Sequence, residues 1–384
     1  MDFTLNEEQR ALQETARRFA RDELSEVARE IETNDEPLSL DWRRRYAEMG
    51  FLGINMDAEY GGHGLGGLEA ILVVEAFAEI SPALAFPIFE SCVGPVRAIE
   101  HFAGEALKRR VIPKVCAGET VVAVAMSEPE AGSALTDLAT TATPDGDGFR
   151  IDGTKVFTTH SPYANLFLIY VRYGPGVAGI GSVLVERDTE GLSFGRPSRY
   201  LSGEVWRQLY FENCYVGPEN VLLPAGGFQR QMAGFNAERI GNSARSLAVG
   251  RLAFNIARDY AKTRIQFGRP LAEFQGLQWK FADMAMWIEA AQLLLYRAAV
   301  NADAGLPSAH ETALAKAYCN IVGFEAANES LQVMGGIGYS EETLVDYCMR
   351  RARGWLIAGG SLEMMKTRIA EGIFERRFSQ RPPK

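Results

Sequence analysis

The spacing of apolar residues divides the chain into three stretches of different character. Residues 1–120 carry apolar positions at helical intervals, beginning behind Asn6, a residue type that caps helices. Residues 121–225 instead contain short runs of strand-forming residues, at 121–126, 167–173, 182–186 and 206–211. From about residue 226 the helical period returns and persists. The pattern predicts helices, then a sheet, then helices, which is an α+β plan and not a βαβ alternation.

Turn residues and caps refine this division. Four signals separate the strand runs and predict a compact antiparallel β-domain: Asp145-Gly146, Asp147-Gly148, Asp152-Gly153 and Gly174-Pro175-Gly176. Further on, an apolar stripe from Leu271 to Leu295 predicts one long helix. Ser308 and Glu311 form the capping-box pattern at the start of the next helix. Four long helices with short connections favour a bundle over residues 226–384.

Composition and charge exclude several classes of protein. A chain of 384 residues with 47% apolar side chains predicts two or three packed units. A formal charge of −9 argues against nucleic acid as a partner, and no apolar run approaches the length of a membrane span. The five cysteines are scattered without a CxxC pair, and the four histidines lack metal-ligand spacing. We therefore expect no metal site and a cytoplasmic protein, or a mitochondrial matrix protein in a eukaryote.

Two matches to the GxGxxG pattern are weak evidence for a nicotinamide site. Residues 174–179 follow a predicted strand but lead into another strand, which is typical of a hairpin loop. Residues 62–67 precede a helix, but no buried strand leads into them. A dinucleotide-binding turn has to follow a strand and open a helix, because the helix N-terminus meets the pyrophosphate. Neither match satisfies both conditions.

The segment Ala125–Ser133 (AMSEPEAGS) is a stronger candidate for chemistry. Ser127, Glu128 and Pro129 lie at the end of an apolar strand and lead into a loop of small residues. Backbone N–H groups and hydroxyls in such a loop can approach a planar or phosphorylated ligand. A simple β-turn with a capping glutamate is the alternative, and spacing alone leaves both open.

Several segments in order along the chain resemble the signatures of the acyl-CoA dehydrogenase family. They are Ala125–Ser133, Asp152–Thr159 (DGTKVFTT), Arg264–Gly268 (RIQFG) with Gln275, and Gln332–Tyr339 (QVMGGIGY). The resemblance implies an N-terminal helical domain (1–120), a central β-domain (121–225) and a C-terminal four-helix bundle (226–384). It also implies FAD as cofactor and a homotetramer, arranged as a dimer of dimers in which neighbouring subunits share each FAD site.

The resemblance assigns FAD contacts to two groups of residues. At the isoalloxazine end, Ser127 and Thr159 would donate or accept hydrogen bonds and Phe157 would stack, with Met126 and Ser361 nearby; Ser133 would approach the pyrophosphate. The adenosine and pyrophosphate end would be held, largely from the adjoining subunit, by Arg264, Phe267, Gln275, Gln332, Gly335 and Gly336. An arginine suits a diphosphate because its planar fork pairs two oxygens at once. Alternatively, Phe157 and Phe267 are core residues and Arg264 is a helix C-terminal charge.

The reaction implied by the resemblance is α,β-dehydrogenation of an acyl-CoA. A carboxylate removes a proton from Cα, a hydride leaves Cβ for flavin N5, and the electrons pass to an electron-transferring flavoprotein. The thioester carbonyl must be polarised, because a Cα–H is otherwise too weakly acidic. Many members supply the carboxylate from a C-terminal loop, but here Gly359 stands at that position. Gly359 can offer only its backbone N–H to the carbonyl.

Two glutamates are candidates for the base. An isovaleryl- and long-chain-type subgroup carries the base on a helix just before an arginine, and Glu238-Arg239 matches that arrangement. We predict Glu238 as the base and Arg239 as a substrate contact; the alternative for Glu238 is a first-turn glutamate facing the helix dipole. Glu90 lies in a stretch that the resemblance places at the acyl pocket. It is either a second candidate base or substrate contact, or a solvated or capping group.

Some positions depart from the family pattern. Ala134 stands where an aspartate is usual, and Phe157 stands where a tryptophan is usual. Sulfinopropionyl-CoA desulfinases share a non-acidic residue after Gly-Ser, glycine at the loop-base position, and a stretch like residues 266–279. Glu238 replaces their amide, and no arginine near Phe86 is available for a sulfinate. A non-redox acyl-CoA enzyme, a dehydrogenase linked to acyl-carrier protein, and a flavin-binding protein without dehydrogenase turnover remain alternatives to the dehydrogenase.

Overall fold

The computed structural model describes residues 4–34, 38–303 and 306–381. Among them the α-helices are α1 (Glu7–Asn34), α2 (Leu40–Glu48), α3 (Gly67–Ala78), α4 (Phe86–Cys92), α5 (Val96–Phe102), α6 (Glu105–Cys116), α7 (Phe228–Thr263), α8 (Gln275–Ala302), α9 (Ala309–Met334), α10 (Gly336–Tyr339), α11 (Leu344–Trp355) and α12 (Leu362–Ile373). The strands are β1 (Val122–Ala125), β2 (Thr141–Asp145), β3 (Gly148–Thr159), β4 (Leu166–Arg172), β5 (Ile180–Glu186), β6 (Leu192–Phe194), β7 (Ser198–Arg199), β8 (Val205–Val216), β9 (Val221–Leu223), β10 (Ile265–Gln266) and β11 (Arg269–Pro270).

The chain forms two compact units. We call residues Met1–Ser25, Ile71–Ala85 and Arg239–Lys384 the helical unit, and Glu26–Ala70 with Phe86–Glu238 the sheet unit. The predicted succession of helices, sheet and helices is confirmed. The domain boundaries after residues 120 and 225 stay a prediction.

The large sheet of the sheet unit runs in the order β6-β8-β3-β2-β4-β5-β9, with β1 beside β4. The prediction of antiparallel pairing holds for most neighbours, but β1 and β2 both pair with β4 in parallel. The β4 strand is buried throughout, because Leu166, Leu168 and Tyr170 join one core cluster while Phe167 and Ile169 join another. Burial on both faces explains why β4 is a continuous apolar run and not an alternating one.

Three of the predicted turns are found and one is not. The β2–β3 hairpin closes over Gly146, whose φ is +63°, and the glycine-rich segment 174–179 joins β4 to β5 as a hairpin loop. The predicted turn at Asp152-Gly153 is wrong, because both residues lie inside β3 at a register shift against β8. Gly153 is required there for another reason. A Cβ atom at Gly153 would lie 2.7 Å from the Cα of Thr140.

The helical unit contains the long helices α8 and α9 and most of α7. Ser308 caps α9 as predicted, since its hydroxyl accepts a hydrogen bond from the N–H of Glu311 at 3.4 Å. The α8 helix begins at Gln275, later than the apolar stripe suggested, because Phe274 is in an extended conformation and ends a separate turn. Close packing of α7 on α9 depends on glycine: a Cβ at Gly250 would lie 2.8 Å from the Cα of Gly323.

Among the described residues no helix has both the length and the apolar character needed to cross a bilayer. The same part of the chain contains no cluster of histidine, cysteine and acidic side chains arranged to hold a metal ion. All five cysteines are free and buried.

A buried carboxyl group in the helical unit makes its stability depend on pH. Glu75 is fully buried and accepts hydrogen bonds from Gln292 at 3.1 Å and from the Tyr296 hydroxyl at 2.8 Å. Burial raises the pKa of Glu75 to about 7, and the nearby Arg251 offsets this only in part. Since the folded pKa lies above the unfolded one, this contribution is fully present below about pH 4.5 and is lost as the pH rises through 7.

We therefore expect the stability difference between the wild type and Glu75→Gln to shrink by about 2–3 kcal/mol from pH 5 to pH 8. Denaturant unfolding of both proteins across this range measures the difference, and groups that titrate in both proteins cancel. Parallel curves for the two proteins would show that Glu75 does not titrate in this range.

Candidate active site

In the sheet unit, the segment after β1 is a tight turn around a buried glutamate. Glu128 and Ala131 exchange backbone hydrogen bonds at 3.0 and 3.1 Å. The Glu128 carboxylate accepts the Nζ of Lys155 at 2.7 Å, the N–H of Ala139 at 2.5 Å and that of Thr140 at 3.0 Å. Glu128 is therefore the capping glutamate that the β-turn alternative predicted. Its role is to fix the loop on which the two candidate serines stand.

Burial affects the pKa values of both Lys155 and Glu128. Lys155 is fully buried, and burial lowers its pKa to about 8 although Glu128 opposes the shift. Burial alone would raise the pKa of Glu128, but Lys155 and the two backbone donors more than offset it, so that pKa lies below its usual value. The Lys155 ammonium also donates to the carbonyl oxygen of Met126 at 3.3 Å, which ties down the end of β1.

The loop leaves its hydroxyl groups available. Ser127 is half-buried, Ser133 is exposed, and neither hydroxyl has a hydrogen-bond partner among the described residues. The backbone oxygen of Ser127 accepts the N–H of Val156 at 2.9 Å, which places the turn directly beside β3. The loop and the end of β3 thus form one continuous surface.

The end of β3 is a strained bulge that exposes an aromatic ring. Phe157 has a φ of +57° beside a register shift against β8, and 59% of the residue is exposed. The alternative interpretation of Phe157 as a core residue is therefore wrong. Its ring lies 4.8 Å from that of Trp206, and Trp206 pairs with Thr159 across the ladder. Thr159 is half-buried and shares a hydrogen bond with Tyr200.

These groups fit the flat ring system of a flavin. An exposed aromatic face at Phe157 with hydroxyls at Ser127 and Thr159 offers stacking in the middle and hydrogen bonds at the rim. Backbone strain of this kind on an exposed aromatic residue persists where function needs it. The flavin contacts of these three residues, and those of Met126 and Ser133, stay a prediction.

The two candidate bases have different surroundings within the sheet unit. Glu238 is half-buried and lies well inside α7, which begins at Phe228, so the interpretation as a first-turn glutamate is wrong. Glu90 is buried with both carboxylate oxygens engaged: Oε2 with Arg43 at 2.8 Å and Oε1 with His160 at 2.9 Å. Glu90 is thus neither solvated nor a helix cap. Because both of its oxygens already have partners, Glu90 is poorly placed to take up a proton.

Arg43 also corrects the expectation that no arginine lies near Phe86. It comes from α2, far away in sequence, and its guanidinium meets Glu90 on α4. Burial would raise the pKa of Glu90, but Arg43 and His160 more than offset this and hold it below its usual value. The carboxylate is therefore ionised and neutralises Arg43.

In the helical unit, the loop at the position of the missing base is held by three side chains that donate hydrogen bonds to its carbonyl oxygens. The Nε of Arg239 donates to the carbonyl oxygen of Gly359 at 2.9 Å, and Lys316 and Asn320 donate to that of Trp355. The φ of Gly359 is +71°, and a Cβ there would lie 3.4 Å from the Cε of Lys316. Ser361 caps α12 through the N–H of Met364. The roles predicted for Gly359, Arg239 and Ser361 at substrate or cofactor stay a prediction.

The residues predicted for the far end of the cofactor are all exposed in the helical unit: Arg264, Phe267, Gln275, Gln332, Gly335 and Gly336. Phe267 and Gly268 form the two-residue turn between β10 and β11, with φ values of +50° and +79°. Phe267 is 95% exposed, so the core-residue alternative is wrong. An exposed aromatic ring on a strained turn fits a residue that binds outside its own unit, and the shared FAD site stays a prediction.

Sequence reasoning missed several residues that the fold brings to the β3 end. His160 directly follows Thr159 in a signature segment, so a histidine there was a detectable signal. Trp206 and Tyr200 reach Phe157 only through the β8 pairing, and Arg43 reaches Glu90 only through helix packing. No local pattern marks these three.

Three family models match the chain. "Acyl-CoA dehydrogenase, N-terminal domain" matches residues 6–119, the "middle domain" matches 123–214, and the "C-terminal domain" matches 225–374.

Curated relatives cover almost the whole chain. It is 32% identical to the 3-sulfinopropanoyl-CoA desulfinase of Paraburkholderia xenovorans, over 99% of both chains. It is 33% identical to an acyl-CoA dehydrogenase of Bacillus subtilis, over 96% of this chain and 98% of that one.

Solved structures are similar to almost the whole chain as well. One described as the electron transferring flavoprotein of Acidaminococcus fermentans contains a chain with a TM-score of 0.93 and 31% identity, over 97% and 99% of the two chains. An FAD complex of PigA has a TM-score of 0.91 at 26% identity, over 97% and 99%.

Proposed function

Because the chain belongs to the acyl-CoA dehydrogenase family, we propose that it oxidises a saturated acyl-CoA to the 2-enoyl-CoA with Glu238 as the base. It is an oxidoreductase, and its cofactor is FAD. The observation that carries the proposal is a half-buried carboxyl group at Glu238 in a chain whose C-terminal loop has glycine in place of the family's base. An acyl-CoA dehydrogenase without either carboxylate would have no group to remove the Cα proton.

The chain's own residues bind the cofactor and the thioester. The exposed face of Phe157 and the hydroxyls of Ser127 and Thr159 support the ring system. When bound, FAD would supply the acceptor for the hydride that leaves Cβ of the acyl group. Glu238 accepts the Cα proton, which becomes acidic enough to transfer when a hydrogen bond polarises the thioester carbonyl.

A desulfinase is the second candidate, because the relatives include one over the full chain. A sulfinate needs a cation, and the fold brings Arg43 to Glu90, four residues after Phe86 in α4. That guanidinium is already neutralised by Glu90 at 2.8 Å, so it offers little net charge to a second anion. The pairing therefore favours dehydrogenation over sulfinate binding.

Partners and setting follow from the same proposal. An electron-transferring flavoprotein would take up the electrons, which the likeness to the Acidaminococcus fermentans chain supports. A homotetramer that shares its FAD sites would explain the exposed Phe267. A cytoplasmic location and a role in the catabolism of fatty or other carboxylic acids complete the proposal.

Anaerobic titration of the FAD-loaded protein with a panel of acyl-CoAs tests it. We expect saturated acyl-CoAs to bleach the flavin absorption within seconds to minutes and to yield the 2-enoyl-CoA, while 3-sulfinopropanoyl-CoA releases no sulfite. Release of sulfite without bleaching would make the chain a desulfinase. Purification without flavin, under conditions in which added FAD is not taken up, would contradict both functions.

A further inference from the structure

A buried histidine beside the flavin-binding strand has one ring nitrogen without a partner. His160 is only 7% exposed, and its Nδ1 lies 2.9 Å from Oε1 of Glu90. Its Nε2 has no hydrogen-bond partner among the described residues. Nε2 is not among the fully enclosed unpaired side-chain atoms of the described residues, so it keeps some accessible surface in an otherwise buried ring. An accessible, unpaired nitrogen on a ring whose other nitrogen is fixed can take a hydrogen bond from a ligand.

The partners of His160 determine which kind of ligand that is. Arg43 holds the Glu90 carboxylate ionised, so Glu90 accepts a hydrogen bond and Nδ1 carries the proton. The other nitrogen, Nε2, is then an acceptor. Burial lowers the pKa of His160 below its usual value although Glu90 and the nearby Glu204 oppose the shift, so the ring is neutral at neutral pH.

The walls around the imidazole are aromatic. The ring centroid of Phe86 lies 3.5 Å from that of His160, and the ring of Tyr163 lies 4.7 Å away on a tilted plane. Phe89 extends the apolar surface from Phe86 at 5.4 Å. An aromatic surface with one fixed acceptor favours a group that is mostly hydrocarbon and carries a single hydrogen-bond donor.

We propose that His160, oriented by Glu90, is a specificity-determining residue that accepts a hydrogen bond from a hydroxyl on the acyl group of the substrate. The inference rests on the proposed function, because it takes the substrate to be an acyl-CoA. We take this hydroxyl to lie on a carbon beyond Cβ, where it leaves the reacting bond unchanged.

The charges around His160 argue against an acidic acyl group. Glu90 and Arg43 cancel, the imidazole is neutral, and Glu204 adds a negative charge nearby. A carboxylate or sulfinate would be buried without a counter-ion, which is strongly unfavourable. A hydroxyl needs only an acceptor. We therefore expect a hydroxylated acyl-CoA to be preferred over both its plain and its acidic counterparts.

Pairs of acyl-CoAs with the same carbon skeleton, with and without a hydroxyl beyond Cβ, test the inference. We expect the hydroxylated member of at least one pair to show about a tenfold or greater advantage in kcat/KM for anaerobic flavin reduction. His160→Phe keeps the aromatic packing but removes Nε2, and the ratio should fall to near one while the plain acyl-CoA still reacts. Glu90→Gln should lower the ratio as well, because the orientation of the ring is lost.

Binding measurements distinguish a failure of this inference from a failure of the proposed function. Calorimetry with the matching pairs of 2-enoyl-CoA needs no turnover, and the same preference should appear there. His160→Asn is a smaller polar replacement for use if His160→Phe folds poorly. His101→Gln is the matched histidine control, and its ratio of binding between the hydroxylated and the plain member of each pair should be unchanged. Equal binding of every pair by the wild type would overturn the inference. Preferential binding without any flavin bleaching would instead overturn the dehydrogenase assignment alone.

Discussion

Replacing Glu238 by glutamine should slow flavin reduction by a saturated acyl-CoA about a thousandfold while FAD stays bound. An amide of the same shape cannot accept the Cα proton, and general-base groups contribute about 10²–10⁴ to the rate. The C-terminal loop offers no substitute, because Gly359 has no side chain and the nearest side-chain atoms to its Cβ position belong to Lys316 and Asn242. Stopped-flow measurement of flavin bleaching at saturating substrate reports the rate constant directly.

Glu90→Gln is the matched control for this prediction. Its carboxylate is held by Arg43 and His160, so the variant should retain flavin reduction and change mainly the preference among acyl groups. If instead Glu238→Gln reduces the flavin at the wild-type rate and Glu90→Gln does not, the base is Glu90. FAD content measured by absorption in both variants separates lost chemistry from lost cofactor.

Replacing Lys155 by methionine should destabilise the sheet unit by about 3–5 kcal/mol. Removing one partner of a buried ion pair leaves the other charge without compensation, and Lys155 is fully buried 2.7 Å from Glu128. Methionine is unbranched and of comparable length, so the packing is largely kept. The end of β1 also loses its tie to the Met126 carbonyl oxygen. Denaturant unfolding, together with FAD retention, measures the effect.

The double variant Lys155→Met with Glu128→Gln shows whether the uncompensated charge is responsible. Without a buried charge on either side, part of the lost stability should return, although the single amide oxygen of glutamine can replace only one of the two carboxylate oxygens that accept from Ala139 and Thr140. A double variant no more stable than Lys155→Met would mean that the loss comes from packing and not from charge.

Much of the candidate site follows from local sequence. Ser127 and Ser133 lie on a loop that the end of an apolar strand and a run of small residues predict. The fold places the backbone of Ser127 beside β3. The start of α9 was predictable for the same reason, because its cap is a contact between Ser308 and Glu311, which are three residues apart. The wrong prediction of a turn at Asp152-Gly153 shows where local sequence is not sufficient. The pair looks like a turn in sequence, but the glycine is needed for the close approach of Thr140, which directly precedes β2.

The surroundings of Glu90 could not be predicted from its neighbours in sequence. Glu90 has Phe89 and Ser91 beside it, which says nothing of Arg43 or His160, and both of those contacts form only when helix and strand pack. The free Nε2 of His160 is likewise a property of the fold. A residue type gives the possible donors and acceptors, and only packing determines which of them remain unsatisfied.

The sequence by itself determined the succession of helices and strands, the family, and the glycine that leaves the C-terminal loop without a carboxylate. These features depend on residue type and on spacing within a few residues, which a linear pattern preserves. The tertiary structure alone decided that Phe157 is exposed, that Glu128 is closed off by Lys155, and that Glu90 orients a histidine. Those outcomes depend on contacts between residues 27 or more positions apart, and such contacts are set by the packing of whole elements.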